Sequence, residues 1–319
     1  MKTKLTHKKL SKSLLLASAF TALSFSSAYA GNYIASENTT QAFSGITDLS
    51  DAIIRAENAA TLSLTNSTLG TSSSRFTASV GSRPNTHVGS QSTLDFVNST
   101  VYADYLYMYM DTEVPVQVQL TNSNLYVDNI IRNYLHTGTV HIYDGSKFIA
   151  PELTVNHIII YDSYAEFKSE SVYIQLENNA TWRTFGGTYV DELWANNSTV
   201  EFVFNSATDS MDILDFWYDG DFNFNFDFTE SFIETIANGT GYFEWTFYDV
   251  VTGIYMPLEY MSASASNSMY TWTVTKGLGY GDDSGYFRID NFVLIPEPST
   301  YALIFGIFAL GLAIYRRRK

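Results

Sequence analysis

Carboxylates are abundant in this sequence, with 33 Asp and Glu residues among 319. Hydrolysis of a glycosidic bond needs two carboxyl groups that face one sugar at a fixed separation. Asp191 with Glu192 and Asp282 with Asp283 are adjacent pairs, and neighbouring residues of a strand point to opposite faces. The spacing therefore does not predict an acid and base couple.

Four Asp residues near the end of the chain could instead bind a hard cation. Asp219, Asp221, Asp282 and Asp283 carry the carboxylate oxygens that calcium prefers. Neither an EF-hand loop nor a nonapeptide calcium repeat accompanies them. We expect no required cofactor, and calcium at these four residues is an alternative to a simple solvated acidic surface.

Nucleophilic and zinc chemistry have little support. The chain has no cysteine and no G-x-S-x-G motif, and only His87, His136, His141 and His157 follow the first 30 residues. Their spacing fits neither a zinc site nor a catalytic base with its partner. The sequence thus predicts a protein that is not an enzyme.

A tyrosine stripe is the clearest candidate for ligand contact. Residues 105–110 alternate tyrosine with Leu or Met, which places Tyr105, Tyr107 and Tyr109 on one face of a strand. Tyrosine offers an apolar ring and a hydroxyl, so such a stripe could stack against sugars. Cross-strand packing is the alternative interpretation.

The charge distribution narrows the choice of partners. Residues 31–315 contain nine basic side chains against all 33 acidic ones, which gives this part a net charge of −24. Such a charge opposes binding to nucleic acid and to anionic membranes. We therefore exclude a nucleic-acid partner.

The elements that position these residues follow a repeat. From residue 60 onward, a short alternating strand, a polar corner and a second short strand recur. The corners are marked by Asn66, Asn98, Asn122, Asp144, Asp162, Asn178 and Asn197. One such unit cannot bury its apolar face alone, whereas parallel stacking gives a continuous core. Residues 31–204 are thus predicted to form a right-handed parallel β-solenoid, with an antiparallel β-sandwich as the alternative.

The pattern changes after residue 204. Residues 222–228 read FNFNFDF, which predicts a strand with its phenylalanines on the buried side. Further strands are predicted at 241–251, 254–261, 269–276 and 286–295. Residues 205–294 are accordingly expected to be an antiparallel β region that caps the open end of the solenoid.

Both chain ends carry targeting patterns. Residues 1–30 combine five lysines, an apolar run and small residues at Ala28 and Ala30, as in a signal peptide cleaved after Ala30. At the other end, Pro296, Glu297 and Pro298 precede an apolar segment, whose length suits a membrane helix. The four basic residues Arg316, Arg317, Arg318 and Lys319 then close the chain and would hold its end in the cytoplasm.

The three-part tail, residues 295–319, resembles the PEP-CTERM sorting signal of Gram-negative bacteria. The resemblance covers about 25 residues, and it implies processing by a membrane transpeptidase of the exosortase type. It also implies delivery to a cell surface rich in exopolysaccharide. The solenoid repeats resemble, only loosely, the passenger-like repeats of bacterial surface proteins.

Together these patterns predict an exported structural or adhesive protein of the cell surface or extracellular matrix. Its expected partners are the Sec translocon, signal peptidase, the exosortase-type enzyme and exopolysaccharide. The C-terminal helix would anchor it in the membrane before processing. The alternatives are a surface-displayed β-helix enzyme that degrades polysaccharide and a calcium-dependent glycan-binding module.

Overall fold

The computed structural model describes residues 31–49, 53–81, 91–109, 115–133, 138–248, 261–265, 269–278, 284–295, 305–310 and 315–316. Several predicted features lie outside these residues. They are the signal peptide with Ala28 and Ala30, the motif Pro296 to Pro298, the pair Asp282 and Asp283, and Arg317 to Lys319.

The described residues form an almost entirely β structure, and a nine-residue α-helix, α1 (Glu230–Asn238), follows the last long strand of the solenoid. The strands are β1 Tyr33–Ala35, β2 Thr40–Ser44, β3 Thr47–Asp48, β4 Ile53–Ala56, β5 Thr61–Thr65, β6 Thr68–Leu69, β7 Phe76–Gly81, β8 Ser92–Val97, β9 Thr100–Tyr109, β10 Val116–Thr121, β11 Asn124–Asn133, β12 Gly138–Tyr143, β13 Lys147–Leu153, β14 His157–Tyr161, β15 Tyr164–Glu177, β16 Thr181–Phe185, β17 Thr188–Phe204, β18 Met211–Phe228, β19 Tyr242–Tyr248, β20 Met261–Ser264, β21 Tyr270–Leu278 and β22 Ser284–Leu294.

Nineteen of these strands join in one sheet, and its pairings are parallel. The pairings form three ladders, which the chain visits in the same order on each turn. Face A consists of β2, β5, β8, β10, β12 and β14 with residues 173–177, 192–196 and 215–219. Face B consists of β3, β6, β16 and β20 with residues 100–103, 124–127, 147–149, 164–166, 199–204 and 222–228. Face C consists of β1, β4 and β7 with residues 105–109, 129–133, 152–153, 168–171, 188–190 and 211–213. This arrangement confirms a parallel β-solenoid and is incompatible with the antiparallel sandwich.

The predicted corner residues turn the chain from face A to face B. All seven markers, from Asn66 to Asn197, have φ between 44° and 58°. Asn and Asp tolerate this left-handed conformation better than other residues with a side chain. The corner amides also bond between rungs, since Asn122 Nδ2 donates to Asn98 Oδ1 at 2.8 Å.

A buried serine follows six of these corners, and serine hydroxyls connect the successive rungs from Ser67 to Ser163. The backbone N–H of Ser67, Ser99, Ser123 and Ser146 each donates to the serine hydroxyl of the next rung, at 2.9–3.1 Å. The last acceptor in this series is Ser163. The ladder satisfies backbone groups that would otherwise be buried without partners.

The parallel stack extends further than the sequence predicted. Strand β18 pairs in parallel with β17 from Met211 to Phe228, and β20 adds a further parallel strand on face B. The predicted change to antiparallel structure at residue 205 is therefore wrong. The repeat continues there because Gly220, with φ of 65°, takes the corner position that Asn holds in earlier rungs.

The antiparallel cap is real but small. It is a three-stranded sheet in the order β19-β22-β21. It packs on the last rung through aromatic contacts, such as Phe226 with Phe287 and with Trp245 at 4.5 and 5.1 Å between ring centroids. Helix α1 joins this cluster through Phe232, which lies 5.3 Å from Phe243. The phenylalanines of FNFNFDF are buried, as predicted.

Residues 305–310 and 315–316 are helical. Among the described residues, no helix is both long enough and apolar enough to cross a membrane.

Candidate functional site

The tyrosine stripe lies on face C with the predicted alternation. Leu106 and Met108 are fully buried, whereas Tyr105 is 37% exposed. The rings of Tyr105 and Tyr107 are 5.7 Å apart and nearly parallel to each other. The side chain of Tyr109 lies outside the described part. The structure thus places two of the three rings side by side on the surface.

Face A carries a second and more exposed aromatic surface, which the sequence analysis missed. Trp194 and Trp217 are cross-strand neighbours in its last two rungs. Their side chains are 40% and 50% exposed. The residue before each tryptophan, Leu193 or Phe216, points inward and is buried.

Polar residues flank the two tryptophans in the same register. Glu192 pairs with Asp215 on one side, and Asn196 pairs with Asp219 on the other. We call these four residues with Trp194 and Trp217 the tryptophan platform. A signal for it exists in the sequence, because each tryptophan stands three residues before its corner residue, Asn197 or Gly220.

Further aromatic and histidine side chains continue along face A towards the N-terminus. The ring centroid of His157 lies 4.5 Å from that of Tyr173 and 6.4 Å from that of His141. Gln117 Nε2 lies 2.9 Å from Nδ1 of His141. Burial lowers the pKa of both histidines, and His157 lowers the pKa of His141 further. Both rings are therefore predominantly neutral at pH 7.

Face B brings together charged residues that are scattered in the sequence. Arg183 donates to Glu201 at 2.9 Å and to Asp227 at 2.6 Å, so it links β16, β17 and β18. Nearby, Tyr164 donates to Glu166 at 2.6 Å. Burial and this hydrogen bond raise the pKa of Tyr164. The guanidinium of Arg183 therefore binds two carboxylates on neighbouring rungs, which is a structural role. We call Arg183, Glu201 and Asp227 the clamp on face B.

Of the two adjacent carboxylate pairs, only Asp191 with Glu192 lies among the described residues. Asp191 accepts a 2.6 Å hydrogen bond from Tyr189, on the face C side of a bend. Glu192, the next residue, begins the face A segment. The two carboxylates therefore do not face a common substrate position.

The calcium candidates are only partly within the described residues. Asp219 and Asp221 are exposed at the last corner, where Asp219 Oδ1 accepts the N–H of Gly220 at 2.8 Å. Within the part of the chain that the structure describes, no three His, Asp or Glu side chains cluster as metal ligands. A calcium site at these residues stays a prediction.

Comparison with known proteins gives no relative from which a role could be transferred: no family model matches the chain, and no curated protein or solved structure is significantly similar to it.

Proposed function

We propose that the chain is an exported structural or adhesive protein of the cell surface or extracellular matrix. It is sorted through its PEP-CTERM-like tail and is not an enzyme. The observation that carries the proposal is the three-part tail, Pro296 to Lys319, on a chain with a signal-like start. The solenoid is taken as right-handed, because crossovers between parallel strands are almost always so.

The surroundings of Gly31 support cleavage after Ala30. The backbone nitrogen of Gly31 lies 3.3 Å from Oδ2 of Asp48, which also accepts from the hydroxyl of Tyr33 at 3.0 Å. Asp48 is 5% exposed. Burial and this carboxylate raise the pKa of Tyr33 to about 12. Cleavage would turn the Gly31 nitrogen into an ammonium group, which provides a buried carboxylate with a charged partner.

The exposure of the tail supports a membrane location for it before processing. Phe305, Ile307, Phe308 and Leu310 are each at least 61% exposed in the helical stretch 305–310. A helix that is apolar on all sides is stable in lipid but costly in water. The flanking Arg316 to Lys319 would fix its orientation.

The proposal is tested by fractionating cells of a host that has an exosortase-type enzyme. We expect the wild-type chain at the surface or in the extracellular polymer. A variant with Pro296, Glu297 and Pro298 replaced by alanine should stay in the membrane fraction. The matched control, Ser299→Ala with Thr300→Ala, should behave as wild type. Recovery of the chain in the cytoplasm with residues 1–30 intact would overturn the proposal.

A further inference from the structure

We propose that the tryptophan platform binds an uncharged, linear polysaccharide with equatorial linkages, of the β-glucan type. This inference deepens the proposed function, on which it rests for its biological setting. It assigns a ligand class to face A, whereas the tyrosine stripe predicted from the sequence lies on face C.

The exposure of the two tryptophans is the first argument. Trp182, by contrast, is fully buried, and its Nε1 donates to the carbonyl of Phe167 at 3.2 Å. Trp194 and Trp217 instead are 40% and 50% exposed, and they are paired neighbours on adjacent strands. Adjacent exposed aromatic groups of this kind mark interaction surfaces.

The geometry of the face suits a sugar chain. Neighbouring rungs are about 4.8 Å apart, which is close to the length of one pyranose in an extended polymer. A chain that follows the solenoid axis would therefore place successive sugars over Trp217 and Trp194. Equatorially linked sugars expose apolar C–H faces, which pack on aromatic rings, and they direct their hydroxyls sideways.

The flanking residues provide acceptors for those hydroxyls. Glu192 and Asp215 lie on one side of the tryptophans, and Asn196 and Asp219 lie on the other. Carboxylates accept hydrogen bonds from hydroxyl groups and form stronger bonds than neutral acceptors do. Hydrogen bonds from sugar hydroxyls to the residues on both sides would hold the polysaccharide over the two tryptophan rings.

The charge of the face selects against acidic polymers. Among the described residues, no outward position of face A holds a Lys or Arg side chain. Three of the four residues that flank the tryptophans are carboxylates, so a uronate or sulfated chain would meet like charge without compensation. An uncharged glycan carries no such cost.

The test is affinity electrophoresis of the purified full-length chain in mild detergent. Hydroxyethylcellulose serves as the neutral β-linked probe and polygalacturonate as the acidic probe. We expect retardation by the first and none by the second. Trp194→Ala and Trp217→Ala should each weaken the apparent Kd for the neutral polymer by roughly tenfold.

Two control variants make the result specific. Trp194→Phe keeps an aromatic ring and should keep most of the binding. It therefore tests the role of the ring even if Trp194→Ala perturbs folding. Tyr105→Ala with Tyr107→Ala removes the two neighbouring rings of the tyrosine stripe on face C and should leave the binding unchanged. Failure of hydroxyethylcellulose to retard the chain, retardation by polygalacturonate, or full binding by both alanine variants would overturn the inference. Since the assay uses purified protein, these outcomes do not depend on where the cell delivers it.

Discussion

The corner residue Asn122 combines a left-handed backbone conformation with a side-chain contact between rungs. Asn122 has φ of 47°, and its side-chain amide donates to Asn98 at 2.8 Å. The sequence predicted these corners well, because Asn and Asp recur at the positions where a left-handed residue is needed. It did not reveal the serine ladder, since an Asn-Ser pair occurs in many turns without stacking. Only the parallel register shows that each serine hydroxyl reaches the rung before it.

Substitution at a corner should therefore separate the two roles. Asn122→Val places a β-branched side chain in the left-handed region and should lower local stability by about 2 kcal/mol. Asn122→Gly removes only the amide contact and should cost about 1 kcal/mol. A solenoid unfolds locally, one rung at a time. The measurement is therefore the rate of amide hydrogen exchange in residues 116–127, the rung that contains Asn122. Equal effects of the two variants would contradict the conformational argument.

The histidines of face A should make stability depend on pH. Burial lowers the pKa of His141 and His157, so the unfolded chain binds protons that the folded chain does not. Stability should thus be complete above the unfolded pKa of about 6.5 and should fall as the pH drops below it. The change in the free energy of unfolding per pH unit should be smaller in the variant with His141→Gln and His157→Gln.

Thermal unfolding between about pH 5.5 and 7.5 checks this, because carboxylates with ordinary pKa values near 4 scarcely titrate there. An identical slope for wild type and the double variant would show that these histidines are not the source.

The clamp on face B acts on whole strands. Arg183 on β16 reaches Glu201 on β17 and Asp227 on β18, and Asp227 is 5% exposed. Arg183→Met leaves a buried carboxylate without its cation and should cost roughly 3 kcal/mol. Adding Asp227→Asn removes the stranded charge and should restore much of the loss. Urea unfolding compares the two, and no recovery in the double variant would argue against the clamp.

The end of the solenoid was the main element that the sequence did not predict. The sequence pattern predicts an end of the repeat at residue 204, because the next corner holds Gly220 instead of Asn and the inward residues change there from mainly aliphatic to phenylalanine. Gly220 meets the same need for positive φ, and Phe224 and Phe226 fill the same inward positions. Recognition of that substitution would also have aligned Trp217 with Trp194. The platform was missed for the same reason.

For the molecule as a whole, the recurring strand and corner pattern predicted the class of fold, whereas the surface chemistry could be seen only on the assembled faces. Alternation along single strands identified the inward and outward residues, including Tyr105 and Leu106. It could not show which outward residues of different rungs become neighbours, because the loops between rungs differ in length. Arg183 and Asp227 are 44 residues apart in the chain and in direct contact in the fold.

The most direct test of export and sorting is the intact mass of the protein recovered from the cell surface. The proposed function predicts a chain that begins at Gly31 and lacks the terminal arginines, with any group added on processing visible as extra mass. Surface protein with the mass of the unprocessed chain, 35.8 kDa with Met1 in place, would contradict it.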